Sequence, residues 1–527
     1  MRLHPSRGSL IREAILRREA MVTQTGALAA WHDSGSTGRI PQDTYMVDHG
    51  AKTQGIDWSA AACHPMEPHV FDALLADAVA DLGQGNSVLV TDCRVGSRPG
   101  NALPVRMITD SALTALFADN MFPDALLLEQ ESIFEKPFHL VVLPKSRVRT
   151  ERYEGKLRKI DGKTVDRVIA MDFERRLGIV YGTSYLGAVK KVLFTVMNYL
   201  LPAEGILPLH CGANESREGT ALFLGLSGTG KTTLSTVKGR ELIGDDEHAW
   251  SDAGIENLED GCYAKLIRLS AEKEPEIHSA VFSQRDPHEN GCIIENTMTF
   301  PDGSVDTDDD RLTENSRASY PLSFLPHSKM GGISGHPNRI IFLTADANGV
   351  LPPVAVLSPR QALLWFLLGY TSKLAGTETG VITPKSTFSR FFGAPFMPRH
   401  PMDYVDLLAR KLAEHRPQII LINTGWTGGP YGVGARMDLG LTRALVDAAL
   451  SGEIAGAPLC EDSRFHLRVP TACPGIDPRV LDPLSNWRDP QAYEARADAL
   501  AQEFSTAFTK EFAGRVPADL ANLCPGK

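Results

Sequence analysis

The sequence predicts an α/β fold of mixed α and β elements that is divided into two domains. Apolar strand-like runs alternate with helix-like stretches over most of the 527 residues, which is the pattern of sheets covered by helices. Apolar residues make up 43% of the chain, enough for a large core without disulfide or metal staples. The turn-rich residues 202–205 (PAEG) interrupt this pattern, and we therefore predict domains of residues 1–205 and 206–527.

The individual elements follow from the apolar runs and their ends. An amphipathic helix is expected around residues 10–21. A longer one is expected over residues 185–201, ended by Pro202 because proline lacks the backbone N–H group. The predicted strands, in chain order, are residues 87–92, 138–143, 167–171, 220–224, 240–245 and 339–344.

Composition argues against several classes of protein. Lys and Arg number 54 and Asp and Glu number 64, so the net charge is −10, whereas nucleic-acid-binding proteins are normally basic. No run of about 18 apolar residues is present, and we expect no membrane-spanning helix. The eight cysteines form no C-x-x-C pair, and the N-terminal segment has no apolar signal-peptide core. We therefore expect reduced thiols and a cytoplasmic location.

The strongest motif is the glycine-rich segment Gly225-Leu-Ser-Gly-Thr-Gly-Lys231-Thr232, which fits G-x-x-x-x-G-K-[ST]. It follows an apolar strand and precedes a helix-like segment, which is the context that the motif requires. The glycines allow backbone N–H groups to point at a phosphate chain. Lys231 adds a charge at the β- and γ-phosphates, and the Thr232 hydroxyl can ligate Mg²⁺. The segment therefore predicts a nucleoside triphosphate site.

A strand that ends in carboxylates follows the loop. Residues 242–248 (LIGDDEH) place Asp245 and Asp246 where a Walker B carboxylate lies near the nucleotide-bound metal. Most P-loop proteins separate the two motifs by many more residues. The short spacing therefore indicates an unusual subclass.

Two lysines and a histidine lie in apolar surroundings before the loop. Lys190 and Lys191 interrupt the apolar pattern of the predicted helix, and His210 lies in the strand-like residues 207–211 (LPLHC). A lysine in a poorly solvated place has a lowered pKa, and a neutral lysine can ligate a metal. The helix pattern alone favours ammonium groups that extend to solvent, and a lone strand histidine is more often a hydrogen-bonded core residue. The residues by themselves leave both roles open.

A series of motifs in a fixed order resembles the ATP-dependent phosphoenolpyruvate carboxykinases over residues 10–515. Residues 37–45 (TGRIPQDTY) are similar to the family's TGRSPKDKY segment, and residues 185–191 (YLGAVKK) to its YxGEMKK segment. The further matches are His210-Cys211, 225–235 (GLSGTGKTTLS), 242–250 (LIGDDEHAW), 261–265 (GCYAK), 314–321 (ENSRASYP), 342–353 (FLTADANGVLPP), 369–378 (GYTSKLAGTE), 392–396 (FGAPF), 423–429 (NTGWTGG) and 431–437 (YGVGARM).

The resemblance implies a fold and a reaction. The fold is the two-domain, P-loop-containing carboxykinase fold, with the active site in the cleft between the domains and a mobile lid near residues 378–398. The reaction converts oxaloacetate and ATP into phosphoenolpyruvate, CO₂ and ADP. ATP is favoured over GTP because the GTP-using relatives carry a cysteine in the phosphate loop, which this chain lacks.

The resemblance also implies roles for individual residues. Lys191, His210 and Asp246 would hold Mn²⁺ at the enolate oxygen, and Thr232 would hold Mg²⁺. The substrate-binding residues would be Arg39, Tyr185 and Lys191, and the catalytic residues Lys191, Arg317, Lys231 and Asp246. The nucleotide-binding residues would be Lys191, His210, Gly225, Leu226, Ser227, Gly228, Thr229, Gly230, Lys231, Thr232, Thr233, Lys265, Glu274, Arg317, Arg436, Met437 and Thr442.

Some positions depart from the family pattern. They are Ile40 for serine, Gln42 for lysine, Ala249 for glycine, Asn348 for phenylalanine and Ala435 for lysine. The changes at positions 40, 42, 348 and 435 raise the alternative of a catalytically weakened relative that only binds nucleotide. A P-loop ATPase or regulator fits poorly, because it leaves four residues without a function: Arg39, Lys191, His210 and Arg317. We expect a monomer that uses ATP as substrate with Mn²⁺ and Mg²⁺, and no nucleic-acid or membrane partner.

Overall fold

The computed structural model describes residues 1–84, 87–124, 132–226, 228–237, 239–373 and 384–527. The α-helices in these ranges are α1 (Arg7–Leu16), α2 (Pro68–Gln84), α3 (Ala112–Met121), α4 (Gly187–Leu200), α5 (Lys231–Ser235), α6 (Pro275–Phe282), α7 (Pro287–Asn290), α8 (Pro359–Leu368), α9 (Pro401–His415), α10 (Leu439–Ser451), α11 (Glu453–Gly456), α12 (Pro478–Leu481), α13 (Pro490–Phe512) and α14 (Ala518–Ala521).

The strands of the N-terminal part are β1 (Arg2–Leu3), β2 (Met21–Val22), β3 (Leu28–Ala30), β4 (Thr44–Val47), β5 (His64–Met66), β6 (Leu89–Val95), β7 (Leu103–Thr109), β8 (Phe138–Leu143), β9 (Lys159–Ile160), β10 (Lys163–Thr164), β11 (Val168–Asp172) and β12 (Leu177–Tyr181). Those of the middle part are β13 (Leu207–Ser216), β14 (Gly219–Leu224), β15 (Glu241–Gly244), β16 (Glu247–Ser251), β17 (Gly254–Asn257), β18 (Gly261–Lys265), β19 (Ile293–Glu295), β20 (Met298–Thr299), β21 (Val305–Asp306) and β22 (Arg317–Pro321). The remaining strands are β23 (Ile333–Ser334), β24 (Pro337–Thr344), β25 (Val354–Leu357), β26 (Tyr370–Lys373), β27 (Lys385–Phe388), β28 (Gln418–Asn423), β29 (Trp426–Thr427), β30 (Ala435–Arg436), β31 (Leu459–Asp462) and β32 (Leu467–Pro470).

The mixed α/β class is confirmed, and every predicted strand coincides with an observed one apart from small differences at the ends. The predicted helix over residues 10–21 is wrong at its C-terminal end, because α1 stops at Leu16. Arg18 has a φ of 55°, which breaks the helix, and Met21 belongs to β2, which pairs with β3. The Glu19 carboxylate accepts a hydrogen bond of 2.8 Å from the Leu113 backbone N–H group at the start of α3.

Contacts within the chain separate it into two compact units. The first contains Met1–Ala203, Glu256–Ile333 and Pro395–Arg399, and the second contains Glu204–Ile255, Ser334–Ala394 and His400–Lys527. Each unit is thus discontinuous, whereas the sequence suggested one boundary after residue 205. Residues 256–333 pack in the first unit because β19 pairs in parallel with β3, with Ile293 opposite Leu28.

The first unit contains a mixed sheet of eight strands in the order β1-β6-β7-β8-β12-β11-β4-β5. Apolar residues of α2 cover it, and Phe71 and Leu74 pack in one core cluster with Val141 and Ile179 of the sheet. A second sheet of the same unit has the strand order β18-β22-β19-β3-β2. This smaller sheet brings β22 and β18 side by side, and both carry candidate site residues.

The second unit is built on the neighbouring strands β16, β13, β14, β24, β28, β25, β32 and β31, in that order. β14, β24 and β28 are parallel to one another, and α10 packs on them, with Leu445 and Val446 in the same core cluster as Phe223 and Ile341. The phosphate loop follows directly from the C-terminal end of β14. Ligands of α/β sheets usually bind at this end of parallel strands.

The 23-residue helix α13 begins at Pro490 after the N-cap residue Asp489, whose side chain accepts hydrogen bonds from two backbone N–H groups of the first turn. Charged residues occur along its whole length. Within the described ranges, no helix combines the length and the apolar character that crossing a membrane requires.

Candidate active site

The phosphate loop connects β14 to α5 in the second unit. Gly228 and Gly230 have φ values of 88° and 92°, a left-handed backbone that glycine adopts more readily than other residues. A Cβ atom at Gly225 would lie 2.6 Å from the Thr229 hydroxyl oxygen, so this position also needs glycine. α5 begins at Lys231. The observed strand, glycine turn and helix are the context that the sequence motif predicts.

Hydrogen bonds from a neighbouring segment hold the loop carbonyls. Arg436 donates from Nη2 to the Gly228 carbonyl and from Nε to the Thr424 carbonyl, both at 3.2 Å. The Thr424 hydroxyl donates to the Thr229 carbonyl at 3.1 Å. Burial lowers the pKa of Arg436. Arg436, predicted to bind nucleotide, therefore also shapes the loop. Ser227, a further predicted loop residue, lies outside the described residues.

Strand pairing brings two distant polar residues to the loop lysine. β13 and β16 are antiparallel, with His210 opposite Glu247, so His210 lies beside Asp246. His210 Nε2 and Asp246 Oδ1 are 2.9 Å apart, and Lys231 Nζ donates to the same oxygen at 2.6 Å. The second unit thus gathers three of the predicted site residues around one carboxylate oxygen.

The protonation pattern of His210 fits a metal ligand. Its Nδ1 atom lies 2.5 Å from the Phe392 carbonyl oxygen, which can only accept, so Nδ1 carries a proton. The other ring nitrogen, Nε2, lies 2.9 Å from Asp246 Oδ1, so a proton on Nε2 hydrogen-bonds to the carboxylate, and loss of that proton would leave two acceptors facing each other. Two such acceptors attract a cation between them, and a ring nitrogen with its other N–H bonded to a carbonyl is the usual arrangement of a metal-binding histidine. His210 and Asp246 therefore fit the predicted Mn²⁺ ligand set.

Two basic residues lie opposite each other in the first unit. β18 and β22 are antiparallel and pair Lys265 with Arg317. Burial, followed by the charge of Arg317, lowers the pKa of Lys265 to about 8. The Arg317 guanidinium carbon lies 5.7 Å from the ring centroid of Tyr263, whose hydroxyl donates to Glu295. Burial and the Glu295 charge raise the pKa of Tyr263 well above its usual value, so its ring supports Arg317 as a neutral phenol.

Asn315 connects the predicted substrate residues of the first unit. Its side-chain oxygen accepts a hydrogen bond of 3.0 Å from Arg317 Nε. Its amide nitrogen donates to the Thr37 carbonyl at 2.9 Å and to the Tyr185 hydroxyl at 3.4 Å. Asn315 is not among the residues that the sequence predicts to act in the site, although it lies two residues before Arg317 in a matched motif. An amide side chain two residues before the predicted catalytic arginine is the feature of the sequence that could have identified it.

The two adjacent lysines of α4 have different surroundings. Lys190 is 2% exposed, and its Nζ donates to the buried Glu259 carboxylate at 2.8 Å. Lys191 is half-buried, with its Nζ 5.1 Å from the ring centroid of Phe194 and 4.9 Å from that of Phe396. Lys190 therefore has a buried acidic partner, whereas the ammonium of Lys191 lies beside two aromatic rings.

The other predicted nucleotide residues divide between the units. Lys265 and Glu274 belong to the first unit, while Leu226, Thr232, Thr233, Met437 and Thr442 belong to the second. Their assignment to one nucleotide pocket stays a prediction. The predicted lid near residues 378–398 falls partly outside the described residues. Its described part includes β27, which pairs with β26.

Comparison with known proteins identifies the family. The phosphoenolpyruvate carboxykinase family model, in its ATP-dependent form, matches residues 1–479. The chain belongs to this family. A relative from Moorella thermoacetica, named phosphoenolpyruvate carboxykinase (ATP) 2, is 46% identical over 505 residues, which is 95% of this chain and 92% of that protein. Proteins named phosphoenolpyruvate carboxykinase (ATP) from Geobacillus kaustophilus and Rhizobium rhizogenes are each 45% identical, over 95% and 98% of this chain and 92% and 93% of their own lengths.

The positions that depart from the carboxykinase pattern are accommodated in the structure. Asn348 donates from its amide to Asp346 Oδ1 at 2.8 Å and to the Tyr370 hydroxyl at 3.0 Å. Ala249 is fully buried in β16, and Ile40 is half-buried. The remaining two, Gln42 and Ala435, are exposed. In the described residues, therefore, none of these positions disrupts the contacts of Lys231, His210 and Asp246.

Proposed function

We propose that the chain catalyses the ATP-dependent conversion of oxaloacetate to phosphoenolpyruvate, CO₂ and ADP. The observation that carries the proposal is the polar cluster at the phosphate loop, where Lys231 and His210 both contact Asp246. Nucleotide binding alone needs the loop and an acidic strand end. It does not need a histidine held in one tautomer beside that carboxylate. Membership of the carboxykinase family supports the same reaction.

Lys231 and Thr232 would act on the nucleotide. Lys231 Nζ donates a hydrogen bond to the Asp246 carboxylate. We infer that, when ATP binds, this ammonium group contacts the β- and γ-phosphate oxygens in place of the carboxylate. The Thr232 hydroxyl at the start of α5 would ligate the Mg²⁺ that accompanies ATP. Arg317 would stabilise the negative charge that builds up on the transferred phosphoryl group.

Arg39 and Tyr185 would orient the dicarboxylic substrate. The planar guanidinium of Arg39 can bind a carboxylate through two parallel hydrogen bonds. The Tyr185 hydroxyl, fixed by Asn315, can contact the carboxylate that is lost as CO₂. When the C–C bond breaks, its electron pair stays on the three-carbon fragment and forms an enolate. The enolate oxygen then attacks the γ-phosphorus in line, and ADP leaves.

Lys191, His210 and Asp246 would hold Mn²⁺. Bound there, the ion would supply Lewis-acid stabilisation of negative oxygen. The Phe392 carbonyl keeps the proton on His210 Nδ1, so Nε2 is ready to bind without a change of tautomer. With two neutral nitrogen ligands and a single carboxylate, one of the two positive charges of the ion would stay uncompensated. The assignment of Mn²⁺ and Mg²⁺ to their respective ligands belongs to this proposal.

We further propose a cytoplasmic monomer. The cysteines of the described residues are free thiols, and all but Cys460 are buried, which agrees with a reducing compartment. Light scattering coupled to size-exclusion chromatography tests the assembly, and a mass near 57.4 kDa is expected.

The test of the proposed function is a coupled assay for phosphoenolpyruvate formation. The purified chain should form the product only when oxaloacetate, ATP and Mn²⁺ are all present, and Lys231→Ala should abolish product formation. Nucleotide binding by calorimetry serves as the control, since a weakened relative would bind ATP and form no product. ATP hydrolysis that does not depend on oxaloacetate would contradict the proposal and indicate a P-loop ATPase.

A further inference from the structure

A buried carboxylate in the first unit contacts two elements that carry predicted site residues. Glu295 is 1% exposed, ends β19, and lies outside the motifs on which the family resemblance rests. Its Oε1 atom accepts a hydrogen bond of 2.8 Å from the Leu186 backbone N–H group, which directly follows Tyr185 and precedes α4. Its Oε2 atom accepts a hydrogen bond from the Tyr263 hydroxyl of β18. One carboxylate thus divides its two oxygens between α4 and β18.

Strand pairing also places Glu295 beside Arg317. The strands β19 and β22 are antiparallel and pair these two residues, so both side chains leave the sheet on the same face. The ring of Tyr263, which Glu295 holds by its hydroxyl, contacts two site residues. Its centroid lies 5.7 Å from the Arg317 guanidinium carbon and 6.1 Å from the ring centroid of Tyr185. Glu295 is therefore connected to Tyr185 through the backbone and to Arg317 through this ring.

The same end of β19 holds the segment that leads to Arg39. Glu295 Oε1 lies 2.8 Å from Nε2 of His32, whose side chain is 7% exposed. The next residue, Asn296, accepts a hydrogen bond of 3.0 Å from the His32 backbone N–H group through its side-chain oxygen. The chain between His32 and Arg39 therefore begins at a point that β19 fixes.

A carboxylate suits this position because it must satisfy donors where water is excluded. The Leu186 N–H group and the Tyr263 hydroxyl belong to buried residues, and an ionised carboxylate offers two oxygens that only accept. Hydrogen bonds to a charged acceptor are also stronger than neutral ones. Because Glu295 is almost completely buried, it is suited to holding other side chains and not to touching the substrate.

We propose that Glu295 is a positioning residue that fixes Tyr185 and Arg317 relative to each other for the reaction. This inference rests on the proposed function, because it takes from there the contact of Tyr185 with the departing carboxylate and the action of Arg317 on the phosphoryl group. It adds that one buried side chain sets the geometry of both. A displacement of about 1 Å at a reacting group can lower a rate by on the order of 10²-fold.

The first test replaces Glu295 with methionine, which has a similar length and no strong acceptor for the donors of Leu186 and Tyr263. We expect kcat/KM for oxaloacetate to fall roughly 10- to 100-fold, because Tyr185 and Arg317 are no longer held in place. The Kd for Mg²⁺–ATP, measured by calorimetry without oxaloacetate, should stay within about threefold of that of the wild type, since the phosphate loop belongs to the second unit. An unchanged kcat/KM, or an equal loss of ATP affinity, would overturn the proposal.

A milder variant keeps the test decisive if Glu295→Met does not fold. In Glu295→Gln, the amide oxygen can accept from Leu186 and the NH₂ group can donate to the Tyr263 oxygen, so the contacts remain without the charge. The fall in kcat/KM for oxaloacetate should then be only about three- to tenfold, since neutral hydrogen bonds are weaker. No loss in this variant would count against the proposal. A loss equal to that of Glu295→Met would do so too, because the contacts would then not matter.

Glu256 provides a matched control that separates positioning from stability. It is fully buried in the same unit, and its carboxylate accepts hydrogen bonds of 2.9 Å from the Arg98 backbone N–H group and 2.7 Å from the Asn101 amide. Glu256→Met should lower the thermal unfolding midpoint about as much as Glu295→Met, yet keep kcat/KM for oxaloacetate within about twofold of the wild type. The same kinetic loss in both variants would reduce Glu295 to a structural residue and overturn the proposal. If the wild type itself forms no phosphoenolpyruvate, the proposed function has failed instead.

Discussion

Lys190→Met should destabilise the protein, whereas Lys191→Met should leave its stability nearly unchanged and impair its activity. The two lysines are neighbours on α4, but only Lys190 is almost completely buried, with its ammonium 2.8 Å from a Glu259 carboxylate oxygen. Removing one partner of such a pair leaves a charged group in the interior. The other ion then lacks most of the compensation for its lost hydration.

The magnitude follows from the burial of both partners, at 2% and 1% side-chain exposure. Breaking a buried ion pair by removing one partner costs about 3–5 kcal/mol. Replacing both, as in Lys190→Met with Glu259→Met, removes the unpaired charge and should recover most of that loss. Lys191 is only half-buried and methionine can replace its apolar stem, so we expect Lys191→Met to cost less than about 1 kcal/mol.

Hydrogen exchange of the α4 amides, detected by mass spectrometry, measures the local loss of stability. Under conditions where exchange reports the opening equilibrium, a loss of about 3–5 kcal/mol makes the α4 amides of Lys190→Met exchange roughly 10²- to 10⁴-fold faster than those of the wild type. Lys191→Met should exchange like the wild type and yet lose Mn²⁺ affinity. If Lys190→Met exchanges within about threefold of the wild type, the ion pair does not stabilise α4 and our interpretation of these lysines is refuted.

Three further predictions concern the proposed site. Lys231→Ala should abolish phosphoryl transfer while circular dichroism shows an intact fold, because a phosphate-binding charge is lost, and turnover within about threefold of the wild type would exclude our assignment of the loop. Arg39→Lys should raise the KM for oxaloacetate and spare ATP binding, since lysine cannot form the two parallel hydrogen bonds; the reverse pattern in titrations of both ligands would place Arg39 on the nucleotide. Lys265 has a pKa of about 8, so its positive charge is present below that pH and is lost as the pH rises through it. The KM for ATP should therefore increase between about pH 7 and 9, and a Lys265→Met variant that retains this increase would show that another group is responsible.

The sequence predicted the phosphate loop well, for a local reason. The glycines, Lys231 and the flanking strand and helix are consecutive, and the φ values of Gly228 and Gly230 depend mainly on the residues themselves. The strands could be predicted equally well, because apolar runs with turn residues at their ends form strands in most contexts. The end of α1 could not be predicted in this way, because nothing in the residue types around Arg18 indicates its positive φ.

Long-range contacts decided the features that the sequence could not provide. The Phe392 carbonyl reaches His210 across 182 positions of chain, from a segment in which Phe391 and Phe392 both have positive φ values. Bulky residues rarely adopt that backbone, so no local pattern predicts it. Likewise, the helix pattern treated Lys190 and Lys191 alike; the family resemblance pointed to Lys191, and the contact between Lys190 and Glu259 gives the structural difference between them. Residues 256–333 likewise belong to the first unit because β19 pairs with β3, which is a contact between distant parts of the chain.

The central claim is that Lys191 ligates Mn²⁺ together with His210 and Asp246. Electron–nuclear double resonance of bound Mn²⁺, in protein labelled with ¹⁵N at the lysine side chains, tests it most directly. We predict a ¹⁵N coupling from one lysine that is present in the wild type and lost in Lys191→Arg, because arginine stays protonated and has no lone pair for the ion. The Lys190→Met variant, if folded, should retain the coupling. A wild-type spectrum without any lysine ¹⁵N coupling, or a coupling that persists in Lys191→Arg, would contradict the account.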